Sequence, residues 1–293
     1  MELKLQIGNT RIIRLSEIER VFGLEIELYI KLENENPSGS IKDRAAYNIF
    51  KNLKLTKDSI IMEATSGNTG ISLAYIAQQV GCRCQIVMPS SMSEERRNLI
   101  KRYGGEVILV DGGMAEAKQE SIRLANENKN IILCNQFENP YNPEAHYLTT
   151  GPEIDAQLHD IDYILVGFGT GGTLCGLARY IKEKNSTTKI IGIEPEQSPL
   201  VTKTYAKPHL IQGIGANFIP KILDVNLVDE FVTADDKASI EMSKKLMELE
   251  KLSVGYSTGA NVLATVEYIK KHNLKNKRIL TFAMDKGDRY SWN

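Results

Sequence analysis

Three short stretches of this chain hold residue types at spacings that suit chemistry. The first is VGFGTGGTLCG, residues 166–176, with four glycines in six positions. DYILV ahead of it reads as a strand and LARYIKEKN behind it as a helix, the order expected of a phosphate site. Gly167, Gly169 and Gly172 satisfy G-x-G-x-x-G, and Glu194 follows at about the spacing of a dinucleotide fingerprint. The loop alone fits a dinucleotide, a tight turn with no ligand, or a single phosphate. Two features weigh against a dinucleotide. The loop lies in the second half of the chain with no companion half clearly after it, and Thr170 and Thr173 add hydroxyl donors. Backbone N–H groups plus hydroxyls suit a terminal phosphate monoester.

The second stretch is NPSGSIKDR, residues 36–44, which sets Lys42 at a helix start. The helix dipole there favours anions, so an ammonium is poorly placed and its pKa is pushed down. A depressed pKa is what a Schiff-base lysine needs. The bland alternative is a surface lysine paired with Asp43 or Glu35. The third stretch is TSGNTG, residues 65–70. Thr65, Ser66, Asn68 and Thr69 surround a helix start, where a small carboxylate would fit. Its bland alternative is a turn with Ser66 or Asn68 capping the helix. Taken together, a lysine for an aldehyde, a carboxylate cradle and a phosphate cup describe a site for pyridoxal phosphate acting on an amino acid.

The elements that must position these loops alternate. Strands are expected at 59–64, 83–88, 106–110, 130–134, 162–168, 189–196 and 278–284, with an N-terminal strand ELYIKLE. Helices are expected at 68–81, 93–105, 114–128, 143–158, after the glycine loop, 237–250 and 259–272. The 93–105 helix opens with a capping-box-like start, Ser93 with Arg96, and acids Glu94 and Glu95 in its first turn. This alternation implies an α/β fold with mainly parallel, helix-covered sheets. The 293 residues allow one large domain or two modest ones. A net charge of -1 gives no electrostatic case for nucleic acid or an anionic membrane. No apolar run approaches a span of about 20 residues, and no signal or transit peptide is evident, so a cytoplasmic protein is expected. Cys82, Cys84, Cys134 and Cys175 lack the paired spacing of a zinc site, and no metal is expected.

Seven stretches in order extend the case. They are IGNTRIIRL, KLENENPSGSIKDR, TSGNTG, QFENPYNPEAHYLTTGPEI, GTGGT, GIGANFIP and GYSTGA. In these the chain resembles, over essentially its whole length, the cysteine synthase (O-acetylserine sulfhydrylase) and cystathionine β-synthase family of pyridoxal-phosphate enzymes. The resemblance implies the tryptophan synthase β-like architecture, fold type II. A smaller mobile domain, 40–140, would be inserted into a larger cofactor-binding domain of 1–39 and 141–293. It implies that Lys42 forms the internal aldimine and shuttles the Cα proton, and that Asn68 meets the ring hydroxyl. Gly169, Thr170, Gly171 and Thr173 would hold the phosphate, and Ser257 would face the pyridine nitrogen. Thr65, Ser66, Thr69 and Gln136 would grip the substrate carboxylate. Gly213 and Asn217 would lie near the substrate's amino and β groups. The implied reaction is β-replacement, O-acetyl-L-serine plus sulfide giving L-cysteine plus acetate through an aminoacrylate. The alternative uses L-cysteine or L-serine as donor, releasing hydrogen sulfide or making a lanthionine- or cystathionine-type product. A homodimer and a docking serine acetyltransferase tail are further implications.

The match has departures. Arg11 and Ala64 stand where the family commonly has proline, away from the chemistry. Asn217 replaces a glycine or an acid, which points to a second substrate other than sulfide alone. Tyr256 is expected to shape the pocket beside Ser257. Ser257 itself has a plainer role as N-cap of the 259–272 helix. With no haem leader or regulatory extension in view, a stand-alone synthase is expected.

Overall fold

A computed structural model of the protein describes residues 5–92, 94–184 and 187–292. The N-terminal part runs β1 (Ile12–Arg14), α1 (Ser16–Phe22), β2 (Glu27–Lys31) and α2 (Lys42–Lys51). Next come β3 (Ile60–Ala64), α3 (Asn68–Val80), β4 (Arg83–Pro89), α4 (Glu94–Arg102), β5 (Glu106–Val110), α5 (Met114–Glu127) and β6 (Ile131–Leu133). The rest runs α6 (Tyr141–Ala145), α7 (Gly151–Gln157), β7 (Tyr163–Gly167), α8 (Gly172–Glu183), β8 (Lys189–Pro195), α9 (Leu200–Lys203), β9 (Glu230–Ala234), α10 (Asp236–Leu249), α11 (Tyr256–Lys271) and β10 (Arg278–Phe282).

The strands form two sheets. One has six strands in the order β1-β2-β10-β7-β8-β9, the other four in the order β5-β4-β3-β6. All neighbours are parallel except β1 with β2. The parallel strands read as nearly unbroken apolar runs because helices cover both faces. IIMEA of β3 is buried throughout, and in RILTF of β10 the residues after Arg278 are buried. At the edges burial is partial, as in EVILV of β5. The second sheet is completed between β2 and β7 of the first, which gives a two-domain α/β protein.

Several boundaries differ from the sequence expectation. The single helix expected at 143–158 is α6, a π-helical turn at His146–Thr150, then α7. Pro152 has no N–H to donate back into the preceding turn, so an unbroken ladder is not available there. The strands β1 and β9 went unseen, both being edge strands with half-buried faces. The last long helix starts at Tyr256 with Gly255 as N-cap, so Ser257 lies in its first turn and is not the cap. Ser93 lies outside the described residues; Glu94 and Glu95 do open α4. No described helix is long and apolar enough to cross a membrane.

Candidate active site

Ligand sites in open parallel sheets form beyond the carboxyl ends of the strands. Here β3 leads into α3, β7 into α8, and β10 into the tail 283–292, and Asn68, the Gly167–Leu174 loop and Met284 from these three ends line one cavity. Four helices, α2, α3, α8 and α11, begin there without a side-chain cap. Lys42 N donates to Ser40 Oγ at 3.3 Å and Gly172 N to Thr170 Oγ1 at 3.2 Å, and the helix dipoles at all four starts favour negative charge. The caps proposed for the bland readings are therefore absent: Gly67, not Ser66 or Asn68, precedes α3.

An inner cavity is lined by Lys42, Asn68, the loop Gly167–Leu174, Gly213 and Ser257. Lys42, Asn68, Gly169, Thr170 and Gly213 also line an outer cleft of about 970 Å³, together with Thr65, Ser66, Thr69, Gln136 and Asn217. All thirteen residues proposed from the sequence line one or both spaces. Lys42 is the first residue of α2 and half-buried. Desolvation at the cleft floor pushes its pKa below the ordinary lysine value, with Asp285 opposing. The surface-pair alternative fails because the proposed partners are engaged elsewhere. Asp43 accepts from Ser38 N at 2.7 Å and Ser72 Oγ at 2.5 Å, while Glu35 pairs with Arg11.

The glycine loop is held from behind. Asn261 Oδ1 accepts from Gly167 N at 2.8 Å, and Asn142 Nδ2 donates to Thr170 Oγ1 at 3.0 Å and to Gln136 O at 2.8 Å. Gly171 sits at φ 86°, in the left-handed region that favours glycine. A Cβ on Gly172 would lie 1.9 Å from Asn142 Oδ1, and one on Gly169 2.7 Å from Gly213 O. Thr173 Oγ1 lies 3.2 Å from His146 Nε2. His146 is buried, and desolvation with the Arg44 and Lys42 charges holds its pKa well below the usual range. Glu194, the acid of the dinucleotide reading, is used up locally: it accepts from Val201 N, Thr202 N and Thr202 Oγ1.

Thr69 Oγ1 donates to Gln136 Oε1 at 2.6 Å, joining the two sides of the carboxylate cradle. Gln136 N donates to Glu63, a buried carboxyl pushed up to about 8 by desolvation. Arg96 Nη1 donates to Ser66 O at 2.9 Å and its guanidinium lies over the Tyr290 ring. Asn217 is exposed on the outer cleft. Tyr256 does not shape the pocket as expected: its hydroxyl donates to Ser291 O, and its ring packs on Tyr290 and Trp292.

Sequence reasoning missed the tail. Asp285 Oδ2 accepts from Asn68 Nδ2 at 2.7 Å and Tyr290 OH at 2.6 Å, and Arg289 donates to Asn68 Oδ1 and Ser38 O. The available signal was position: DKGDRY follows directly on the last parallel strand.

These residues suit pyridoxal phosphate. Helix starts and the Thr170 and Thr173 hydroxyls line a cavity suited to an anion, and Lys42 lines the same cavity. Ser257 is 2 % exposed yet its hydroxyl has no protein hydrogen-bond partner among the described residues. Among those residues no group of three or more His, Cys, Asp or Glu could hold a metal. The model of the family described as pyridoxal-phosphate dependent enzymes matches residues 3–285. A cysteine synthase of Buchnera aphidicola is 41% identical, covering 97% of this chain and 92% of the relative. A cysteine synthase B of Campylobacter jejuni is 43% identical over 97% of this chain and 94% of its own. A hydrogen sulfide-producing enzyme from Fusobacterium nucleatum superposes with TM-score 0.93 at 39% identity, covering 97% of this chain and 96% of that one. A cysteine synthase structure from Entamoeba histolytica gives TM-score 0.92 at 35% identity, with 97% and 87% covered. Site geometry and likeness agree over nearly the full chain, which belongs to the cysteine synthase family of pyridoxal-phosphate-dependent enzymes.

Proposed function

We propose that the enzyme catalyses β-replacement on O-acetyl-L-serine, with sulfide as nucleophile and L-cysteine and acetate as products. The observation that carries this reading is the shared lining: Lys42, the glycine loop and Asn68 border one cavity that opens onto the Thr65–Thr69 cradle. Pyridoxal phosphate, when bound, supplies the electron sink that lets the Cα proton and then the β substituent leave.

The chain's own groups divide the remaining work. Gly169, Thr170, Gly171 and Thr173 would hold the phosphate, Asn68 the ring hydroxyl, and Ser257 the ring nitrogen. A neutral hydroxyl at that nitrogen makes a milder sink than a carboxylate would, which favours prompt loss of a β leaving group. Lys42 Nζ takes the Cα proton and later returns it, and its depressed pKa leaves more free amine near neutral pH. The α3 N-terminus, Thr65, Ser66 and Thr69, with Gln136 opposite, grip the substrate carboxylate. That grip draws the smaller domain, residues 40–140, over the site and excludes water.

One observation favours a second donor. Asn217 stands exposed on the cleft, and a close structural relative is a hydrogen sulfide-producing enzyme. L-cysteine or L-serine would then serve as donor, with Asn217 and Gly213 beside the β group. Replacing Asn217 by Gly is expected to change donor preference; an unaltered ranking of donors removes that role. We also infer a cytoplasmic homodimer that serine acetyltransferase can engage.

The first experiment records the visible spectrum of the purified protein before and after O-acetylserine, cysteine and serine in turn. A yellow protein whose band moves to longer wavelength with O-acetylserine supports the main reading. Movement with cysteine alone supports the second. A protein that stays colourless with pyridoxal phosphate overturns both.

A further inference from the structure

Asp285 is fully buried, yet its Oδ1 has no hydrogen-bond partner. Buried carboxylate oxygens left unpaired are costly, and such groups cluster at functional sites. The backbone brings this one against Lys42: Ile41 N donates to Met284 O at 2.9 Å, and Ser40 bridges Asp285 in antiparallel fashion. Its other oxygen holds Asn68 and Tyr290.

We propose that Asp285 is a positioning residue that fixes the Asn68 amide and sets a counter-charge to the Lys42 ammonium. The inference rests on the reading above, in which Lys42 and Asn68 meet the cofactor. A carboxylate only accepts and a guanidinium only donates. Asn68 therefore turns Nδ2 to Asp285 and Oδ1 to Arg289, and a flipped amide would lose both bonds. The second N–H of Nδ2 remains for an acceptor in the cavity that Asn68 lines. The charge has its own role. Each time Lys42 takes up a proton in a desolvated place, the nearby carboxylate stabilises the ammonium.

Of the other charged groups around the pair, Lys286 and Asp288 of the tail are exposed to solvent, and the rest are held locally. Asp43 of α2 is held by Ser38 and Ser72, and His146 is kept neutral by burial. Arg289 binds Asn68 and Ser38 O, and Tyr290 is kept neutral by burial, with Arg96 of α4 over its ring. Asp285 is the carboxylate whose field reaches Lys42.

The test follows acylation of Lys42 in the apoprotein against pH, read by peptide mass spectrometry, beside the Kd for pyridoxal phosphate. In Asp285→Asn the midpoint for Lys42 should fall by about one pH unit, because a charge that favoured the ammonium is gone. The Kd should rise roughly tenfold, because an amide at 285 no longer enforces one orientation of Asn68. A merely structural role would loosen the site, relieve desolvation and move the midpoint upward. An upward or unchanged midpoint, or an unchanged Kd, overturns the proposal. If Asp285→Asn does not fold, Asp285→Ser removes the same charge and carries the same expectations. A wild-type protein that takes pyridoxal phosphate elsewhere than Lys42 overturns the functional reading as well. Cofactor on Lys42 with an unmoved midpoint overturns the role of Asp285 alone.

Discussion

Two loops end parallel strands and open helices over the same cleft, yet they are packed differently. The glycine loop after β7 is close-packed against its neighbours. Asn261 and Asn142 tie it down, and its glycines leave no room for a side chain. The Thr65–Thr69 loop after β3 is held by side chains from elsewhere: Gln136, Arg96, and Asp285 with Arg289. Ser66, Gly67 and Asn68 remain half-exposed. A close-packed loop suits a group that stays through every turnover, because its donors are fixed in advance. A loop pinned by a few side-chain bonds suits a substrate that must enter, be gripped and leave.

The sharpest way to break this contrast is Gly172→Ala. The added methyl would overlap Asn142, which ties the glycine loop to Gln136. Cofactor retention should fall by about two orders of magnitude or more, at a stability cost of roughly 2 kcal/mol from overpacking. Equilibrium dialysis of pyridoxal phosphate and thermal melting check it; tight binding by this variant would show that the loop yields. Gln136→Ala should act on the other loop alone. It removes the acceptor of Thr69 Oγ1 while leaving the phosphate cup untouched. KM for the amino-acid donor should rise about 10- to 100-fold, with the absorption of the resting enzyme unchanged. An altered resting spectrum would mean that the two loops are not separable.

The same contrast explains what the sequence made legible. Lys42, the glycine loop and TSGNTG are contiguous motifs, and their physical roles follow from a strand–turn–helix order. The parallel strands announced themselves by unbroken apolar runs, whereas β1 and β9, edge strands with half-buried faces, carried no such signal. What stayed hidden is held together by distance in space. Asn68 and Asp285 are 217 residues apart in the chain, and Arg289 lies still further on. Nothing in the local pattern of DKGDRY says that its acid faces a helix start in the other sheet's domain. Tyr256 shows the converse error: adjacency to Ser257 in sequence suggested a shared pocket, but successive helical residues point in different directions.

The finest test concerns Glu63, the last residue but one of β3, which accepts from Gln136 N at 3.2 Å. Burial raises its pKa to about 8, although backbone donors from Gln136, Asn135 and Ala64 pull the other way. A carboxyl whose folded pKa is raised favours folding in its protonated form. That contribution is complete below the unfolded value of about 4.3 and is lost as pH rises toward the folded one. Glu63→Gln keeps the shape of the protonated acid and cannot ionise. Near pH 5 the two proteins should melt at nearly the same temperature. Near pH 8 the glutamine variant should be the more stable, the gap growing by up to ~1.4 kcal/mol for each pH unit between the unfolded and folded values. The ionisable contact of the glycine loop, His146 beside Thr173, is kept neutral by burial, so Gly172→Ala should cost the same at both pH values. A melting difference for Glu63→Gln that does not grow with pH would mean that Glu63 is ionised in the folded protein and that the cradle is pinned by charge after all.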